Sequence, residues 1–192
     1  RSIASGVGPM GVGPTELVVV PNALSRSLCD DLLNKIDQLD FDKVQKMISQ
    51  PDALRRNFRL GATGDLYHRS VHECQLLLDS LGIIGVPIYK PTLVIARPGA
   101  ETGLMHRDFK RYALSITFAL TDKTMLWGDN LVRIRQPQRS GTVFDGNQCH
   151  AGDAVAACAP PTALLHLYAG WGVTAKELLD TYQCLLTVAV PS

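Results

Sequence analysis

Large apolar residues alternate with small or hydroxyl-bearing ones from Leu114 to Leu120. Leu114, Ile116, Phe118 and Leu120 fall on one side of an extended chain, and Ser115, Thr117 and Ala119 on the other. A strand with two chemically different faces separates two different environments. Further short runs rich in β-branched residues cover 92–97, 130–136, 141–145 and 162–169, punctuated by Gly, Pro, Asp and Asn. Upstream, the period changes. Thr15 to Val20 reads as a strand closed by Pro21, and Leu24, Leu28, Leu32, Ile36 and Leu39 recur at helical steps behind a cap at Asn22 or Ser25. Helical stretches are also expected over 42–50, stopped by Pro51, and over 70–81, ending near Gly82. Residues 52–68 carry no clear period. A short amphipathic helix over 174–183 and a last strand over 184–190 complete the pattern. Helices first and strands afterwards predict an α+β protein built on an antiparallel sheet or barrel.

The chain has 192 residues and shows no internal repeat, which suits one domain over 15–192 behind a Gly/Pro-rich N-terminal arm at 1–14. Such an arm, if ordered, must rest on its own domain or on a protein partner. The chain opens on Arg1 rather than Met, the mark of a processed or excised product. A formal charge of +1 gives no support to a nucleic-acid partner or an anionic membrane surface. No apolar run is long enough to span a bilayer. Local basic groups such as Arg55, Arg56 and Arg59 read as solvated. The five cysteines are scattered, with no CxxC pair, so reduced thiols and an intracellular compartment are expected.

Candidate chemistry centres on His106 and Asp108. Positions i and i+2 of an extended chain share a face, so these two side chains can converge on one ion. His150, after the strand-like 141–145, offers a third ligand. Two imidazoles and one carboxylate leave three positions open on an octahedral metal, which suits Fe(II) binding a bidentate cosubstrate and dioxygen. The alternative is two ordinary histidines and an aspartate capping a turn. His68 and His72 stand at i, i+4 without a convincing third ligand and read as a helix-surface pair. Tyr67, Tyr89 and Tyr112 read as core aromatics or the lining of a cleft, and Cys149 as an inert packed thiol.

The flanks carry a resemblance. LVVVPNALSRSLCDDLLNKI, IARPGAETGLMHRD, RYALSITFALTD and GTVFDGNQCHAGDAV are similar to successive segments of the Fe(II)/2-oxoglutarate-dependent dioxygenases, in particular the prolyl 4-hydroxylase-like branch. Trp171 stands where that branch often carries an aromatic. The resemblance spans about 17–171. It implies a double-stranded β-helix, a jelly-roll or cupin-like barrel with N-terminal supporting helices. It also implies Fe(II) held by His106, Asp108 and His150, 2-oxoglutarate as cosubstrate, and hydroxylation of a protein side chain, prolyl above all, or of a small molecule.

Two departures stand out. The family normally places Arg or Lys about ten residues beyond the distal histidine to pair with the far carboxylate of 2-oxoglutarate. Here Pro160 stands at that position, and Ala151 to Ala175 contains no Lys or Arg. The Gly-Gly turn of the hydroxylase branch is also replaced, by TMLWGDNLVRI. Three substitutes for the cation are open. Arg133 and Arg135 share a strand face and could meet the carboxylate. His166, which alternates with Thr162 and Tyr168, could bind it as an imidazolium. Or nothing replaces the cation, and the chain is a non-catalytic module that serves a larger assembly.

Overall fold

The computed structural model describes residues 2–3, 17–46, 53–108 and 112–171. The arm apart from Ser2–Ile3, and the helix and strand expected over 174–190, lie outside these residues. In chain order the elements are β1 (Ser2–Ile3), β2 (Val18–Val20), α1 (Arg26–Asp37), a 3₁₀ turn (Phe41–Lys43), β3 (Gln45–Lys46), β4 (Arg55–Arg59) and α2 (Asp65–Ser80). Then come β5 (Ile88–Ala96), β6 (Tyr112–Ala119), β7 (Lys123–Trp127), β8 (Val132–Gln136), β9 (Gly141–Asp145), β10 (His150–Gly152) and β11 (Thr162–Trp171).

The strands form two antiparallel sheets. The larger runs β1-β2-β9-β6-β11-β5-β4-β3 and the smaller runs β10-β7-β8. The alternation along β6 is the key to their arrangement. Leu114, Ile116 and Phe118 join a core with Leu28, Leu32, Leu77 and Leu78 of the two helices. Ser115 and Thr117, on the opposite side, are equally buried, but toward the space between the sheets. β11 obeys the same rule, with Leu165 and Leu167 in the helix-side core and Leu164 and His166 toward the interior. A central strand buried on both faces needs an apolar face for the helices and a chemically useful one for the barrel.

α1 begins where Ser25 accepts a hydrogen bond from the Leu28 amide at 3.3 Å, so Ser25 rather than Asn22 is the cap. Arg69 of α2 reaches Asp31 of α1 at 2.7 Å. Gly141 sets β9 close against the helical layer. A Cβ there would lie 2.5 Å from Leu77 Cδ2, 2.9 Å from Ala23 Cβ and 3.2 Å from Phe118 Cε1. Across the barrel, the Gln136 amide of β8 donates to Thr142 Oγ1 of β9 at 2.8 Å and to Thr117 Oγ1 of β6 at 3.2 Å. One side chain thus ties the small sheet to the large one.

Two expectations are corrected, and one unassigned stretch gains structure. The helix expected from residue 42 is a 3₁₀ turn followed by β3, because Gln45 and Lys46 pair with Asn57 and Arg56. The unassigned stretch 52–68 contains β4 and the first turn of α2. Arg55 and Arg56, expected in solvent, are 5% and 4% exposed. Pairing of β4 with β5 draws them inside: Arg55 donates to two backbone carbonyls, and Arg56 lies over the Phe41 ring at 4.6 Å.

A candidate metal centre between the sheets

The backbone sets two histidines face to face. His106 and His150 form an isolated antiparallel bridge, with N–H···O bonds of 3.0 and 2.9 Å in the two directions. Residues paired in this way project side chains to the same face. Their rings stand 4.6 Å apart. Asp108, two residues beyond His106, brings its carboxylate to both: His106 Nε2 lies 3.9 Å from Oδ1 and His150 Nε2 3.5 Å from Oδ2. One ligand atom from each of the three lies within 4.8 Å of the other two.

Each imidazole is locked in the same way. His106 Nδ1 stands 2.8 Å from the Leu104 carbonyl and His150 Nδ1 3.0 Å from that of Gln148. A carbonyl can only accept, so each Nδ1 carries the proton and each Nε2 turns its lone pair toward the carboxylate. Phe144 packs edge-on against the His150 ring at 4.8 Å. Burial pushes His150 down to about 4 against the attraction of Asp108, so at neutral pH it is an uncharged donor. Burial alone would raise the Asp108 carboxyl. The nearby His166 and His150 imidazoles and the Ser115 hydroxyl outweigh it and hold the group well below the ordinary carboxylate range. Two imidazole nitrogens and one ionised carboxylate on one face are a donor set for a divalent transition metal. One orphaned polar atom points the same way. Among the described residues the buried His166 Nε2 has no hydrogen-bond partner at ordinary bonding geometry, and it lies 3.5 Å from Asp108 Oδ2.

The Ser115 hydroxyl donates to Asp108 Oδ2 from the interior face of β6. Ser115→Ala is expected to weaken divalent-metal binding by about 10- to 100-fold, the usual cost of losing a group that orients a ligand. Calorimetric titration with Mn(II) measures this; an unchanged affinity would remove Ser115 from the support of the site.

The four cosubstrate candidates fall in different places. His166 lines the same pocket as His106 and His150, beside Asp108. Thr162 pairs with Ala96 at the start of β11 and is not among the residues lining that pocket. Arg133 and Arg135 do share a face of β8, but both are exposed, whereas Gln136 turns inward. Arg133 is 72% exposed at its side chain and donates to Asp153 at 2.9 Å. The structure therefore does not bring either arginine to the metal end. His68 and His72 are exposed on α2. Tyr67 packs against the helical core, whereas Tyr89 and Tyr112 join Tyr168 in an aromatic wall next to His166. β7 and its first residue, Lys123, are what sequence reasoning missed. The available signal was the two-residue step Lys123, Met125, Trp127.

Similar solved structures share this architecture. A viral collagen prolyl hydroxylase from Paramecium bursaria Chlorella virus 1, in complex with 2-oxoglutarate, superimposes with a TM-score of 0.61. The match covers 80% of this chain and 94% of that one at 13% identity. A prolyl hydroxylase from Trichoplax adhaerens, bound to a peptide of the hypoxia inducible factor oxygen degradation domain, gives 0.59 over 88% and 86% at 10% identity. HygX from Streptomyces hygroscopicus, with nickel and 2-oxoglutarate bound, gives 0.63 over 81% and 83% at 9% identity. No protein-family model and no curated protein matches the chain. The fold is the double-stranded β-helix of the Fe(II)/2-oxoglutarate-dependent oxygenases, and the structures it resembles include the prolyl hydroxylases.

Proposed function

We propose that this chain is an Fe(II)- and 2-oxoglutarate-dependent dioxygenase that hydroxylates a protein side chain of prolyl type. The observation that carries the reading is the convergence of His106, Asp108 and His150, with both imidazoles locked by backbone carbonyls so that their Nε2 lone pairs share one focus. Iron bound there would supply the oxidative chemistry; the protein's part is to hold it, orient the cosubstrate and keep bulk water out. Asp108 contributes the anionic ligand, steadied by Ser115 and faced by His166. Leu164, Val94 and Phe144 supply apolar walls around the pocket, which lowers the local dielectric and strengthens every polar contact within it. The peptide bound to the Trichoplax enzyme is compatible with a protein substrate, as the hygromycin B bound to HygX is with a small molecule.

The test is turnover. With Fe(II), 2-oxoglutarate and proline-containing peptides, the purified protein should consume oxygen and form succinate and hydroxylated peptide in equal amounts. Succinate without peptide oxidation would keep the oxygenase reading and reject the peptide class. No succinate from a metal-loaded protein would reject the reading.

A further inference from the structure

The missing cation after His150 leaves a question about charge. On β11 the residues turned toward the interior are Leu164 and His166, and no Lys or Arg follows His150 as far as Ala175. A dicarboxylate entering a barrel of low dielectric needs a compensating charge at its far end, because an unpaired buried carboxylate is strongly disfavoured. That charge must come from another strand.

The pocket between the sheets supplies two. Lys123 of β7 and Arg55 of β4 both line it, and no Asp or Glu is among its lining residues. Away from the Asp108 carboxylate at the metal end, this wall therefore suits an anion. Arg55 is already engaged: its Nη2 donates to the carbonyls of Glu101 and Asp153, both at 2.6 Å, and Nη1 lies so close to Gly152 that a Cβ there would meet it at 2.7 Å. Lys123 differs. Among the described residues no hydrogen bond or ion pair engages its ammonium. Burial pushes it down to about 7, and the Arg55 guanidinium adds repulsion. A half-buried cation beside another cation is disfavoured until an anion arrives.

Its place along the barrel is also right. Lys123 opposes Gln136 on β8, and the Gln136 amide is bonded to Thr117, whose hydroxyl side also lines the pocket. Trp127 is the β7 residue opposite His150, so Lys123 begins four residues further on, about 13 Å at roughly 3.3 Å per residue. A lysine stem reaching back and a five-carbon dicarboxylate reaching forward from the metal together bridge that gap.

We propose that Lys123 receives the distal carboxylate of the 2-oxo acid, with Thr117 as a neighbouring hydrogen-bond donor and Arg55 as a fixed contributor to the positive potential. This assignment rests on the oxygenase reading above. It moves the anchor from the last barrel strand to the opposite sheet and selects dicarboxylic over monocarboxylic 2-oxo acids.

The experiment compares two ligands on Mn(II)-loaded protein by calorimetry. They are 2-oxoglutarate and 2-oxopentanoate, which keeps the chelating head and chain length but ends in a methyl group. The native protein should prefer 2-oxoglutarate by about 10- to 100-fold, the worth of a charge-assisted contact. Lys123→Met should lose that preference while binding 2-oxopentanoate as before. Lys123→Arg should recover part of it, and Arg133→Ala and Arg135→Ala should leave it intact. Without ligand, Lys123→Met should melt higher than the native protein, because a half-buried charge beside Arg55 has been removed. Undiminished preference for 2-oxoglutarate in Lys123→Met overturns the assignment. So does equal native affinity for the two acids, a result that leaves the oxygenase reading standing. If the metal-loaded native protein binds neither acid, both readings fall.

Discussion

Asp108→Ala is expected to lower affinity for Fe(II) or Mn(II) by more than about 100-fold, since even groups that merely orient a metal ligand cost 10- to 100-fold when lost. The reason is specific to this geometry. His106 and His150 can offer only neutral nitrogens, and Asp108 is the one anionic group among the three. Without it, two imidazoles must hold a dication unaided. Asp108→Asn tests the electrostatic part alone, because it keeps the shape and removes the charge. Calorimetric titration should show Asp108→Asn almost as impaired as Asp108→Ala. Near-native affinity in Asp108→Asn would place the metal elsewhere. Protons should act in the same direction. The His150 imidazole is held down near 4 by burial and the Asp108 carboxyl is held below its ordinary 3.8, so both remain ready for metal through mildly acidic conditions. In the metal-free protein these two depressed groups are linked to stability. The unfolded chain takes up protons first, at about 6.5 for the histidine and 3.8 for the aspartate. The stability that these two groups contribute is therefore full above about pH 6.5 and declines as pH falls.

Phe118→Ala should be the most damaging single truncation in the core. Phe118 is fully buried on the helix side of β6, against the packing that also requires glycine at 141. Removing a buried phenylalanine costs about 3–5 kcal/mol, the lost transfer energy plus the cavity left behind. Against a typical stability of roughly 5–15 kcal/mol, that removes a large share. The melting temperature should drop by roughly 6–20 °C, taking 2–4 °C per kcal/mol for a chain of this size. Urea unfolding followed by circular dichroism measures the loss. A change under 1 kcal/mol would show that the helical layer does not rest on this face of β6.

Those two residues also show what was legible in the chain. The alternation from Leu114 to Leu120 predicted two faces, and the structure assigns them to the helices and to the barrel interior. His106, Asp108 and His150 could be picked out because a two-residue step on an extended chain is a strong geometric constraint and because their flanks resemble a known pattern. β4 was not visible. Its sequence, RRNFR, has the composition of a solvated loop, and only its pairing with β5 and β3 makes it a strand. The helix expected from residue 42 failed for the same reason, since pairing outweighed local propensity. β7 lacks a run of β-branched residues, and its two-residue step of Lys123, Met125 and Trp127 is a weak mark against the turn before it. The cations legible in the sequence were therefore Arg133, Arg135 and His166; the face that the two arginines share could be read, but its direction could not. Direction depends on which face of β8 meets β6 and β9, and Gln136 decides that.

The most direct test of the central claim is spectroscopic. Anaerobic Fe(II) is titrated into the native protein, 2-oxoglutarate is added, and the visible absorption is followed for the weak metal-to-ligand charge-transfer band of a chelated 2-oxo acid. One equivalent of Fe(II) should give the band on addition of 2-oxoglutarate, and His106→Ala, Asp108→Ala and His150→Ala should each abolish it. An intact band in any of the three variants, or no band at millimolar 2-oxoglutarate in native protein that has bound iron, would contradict the account.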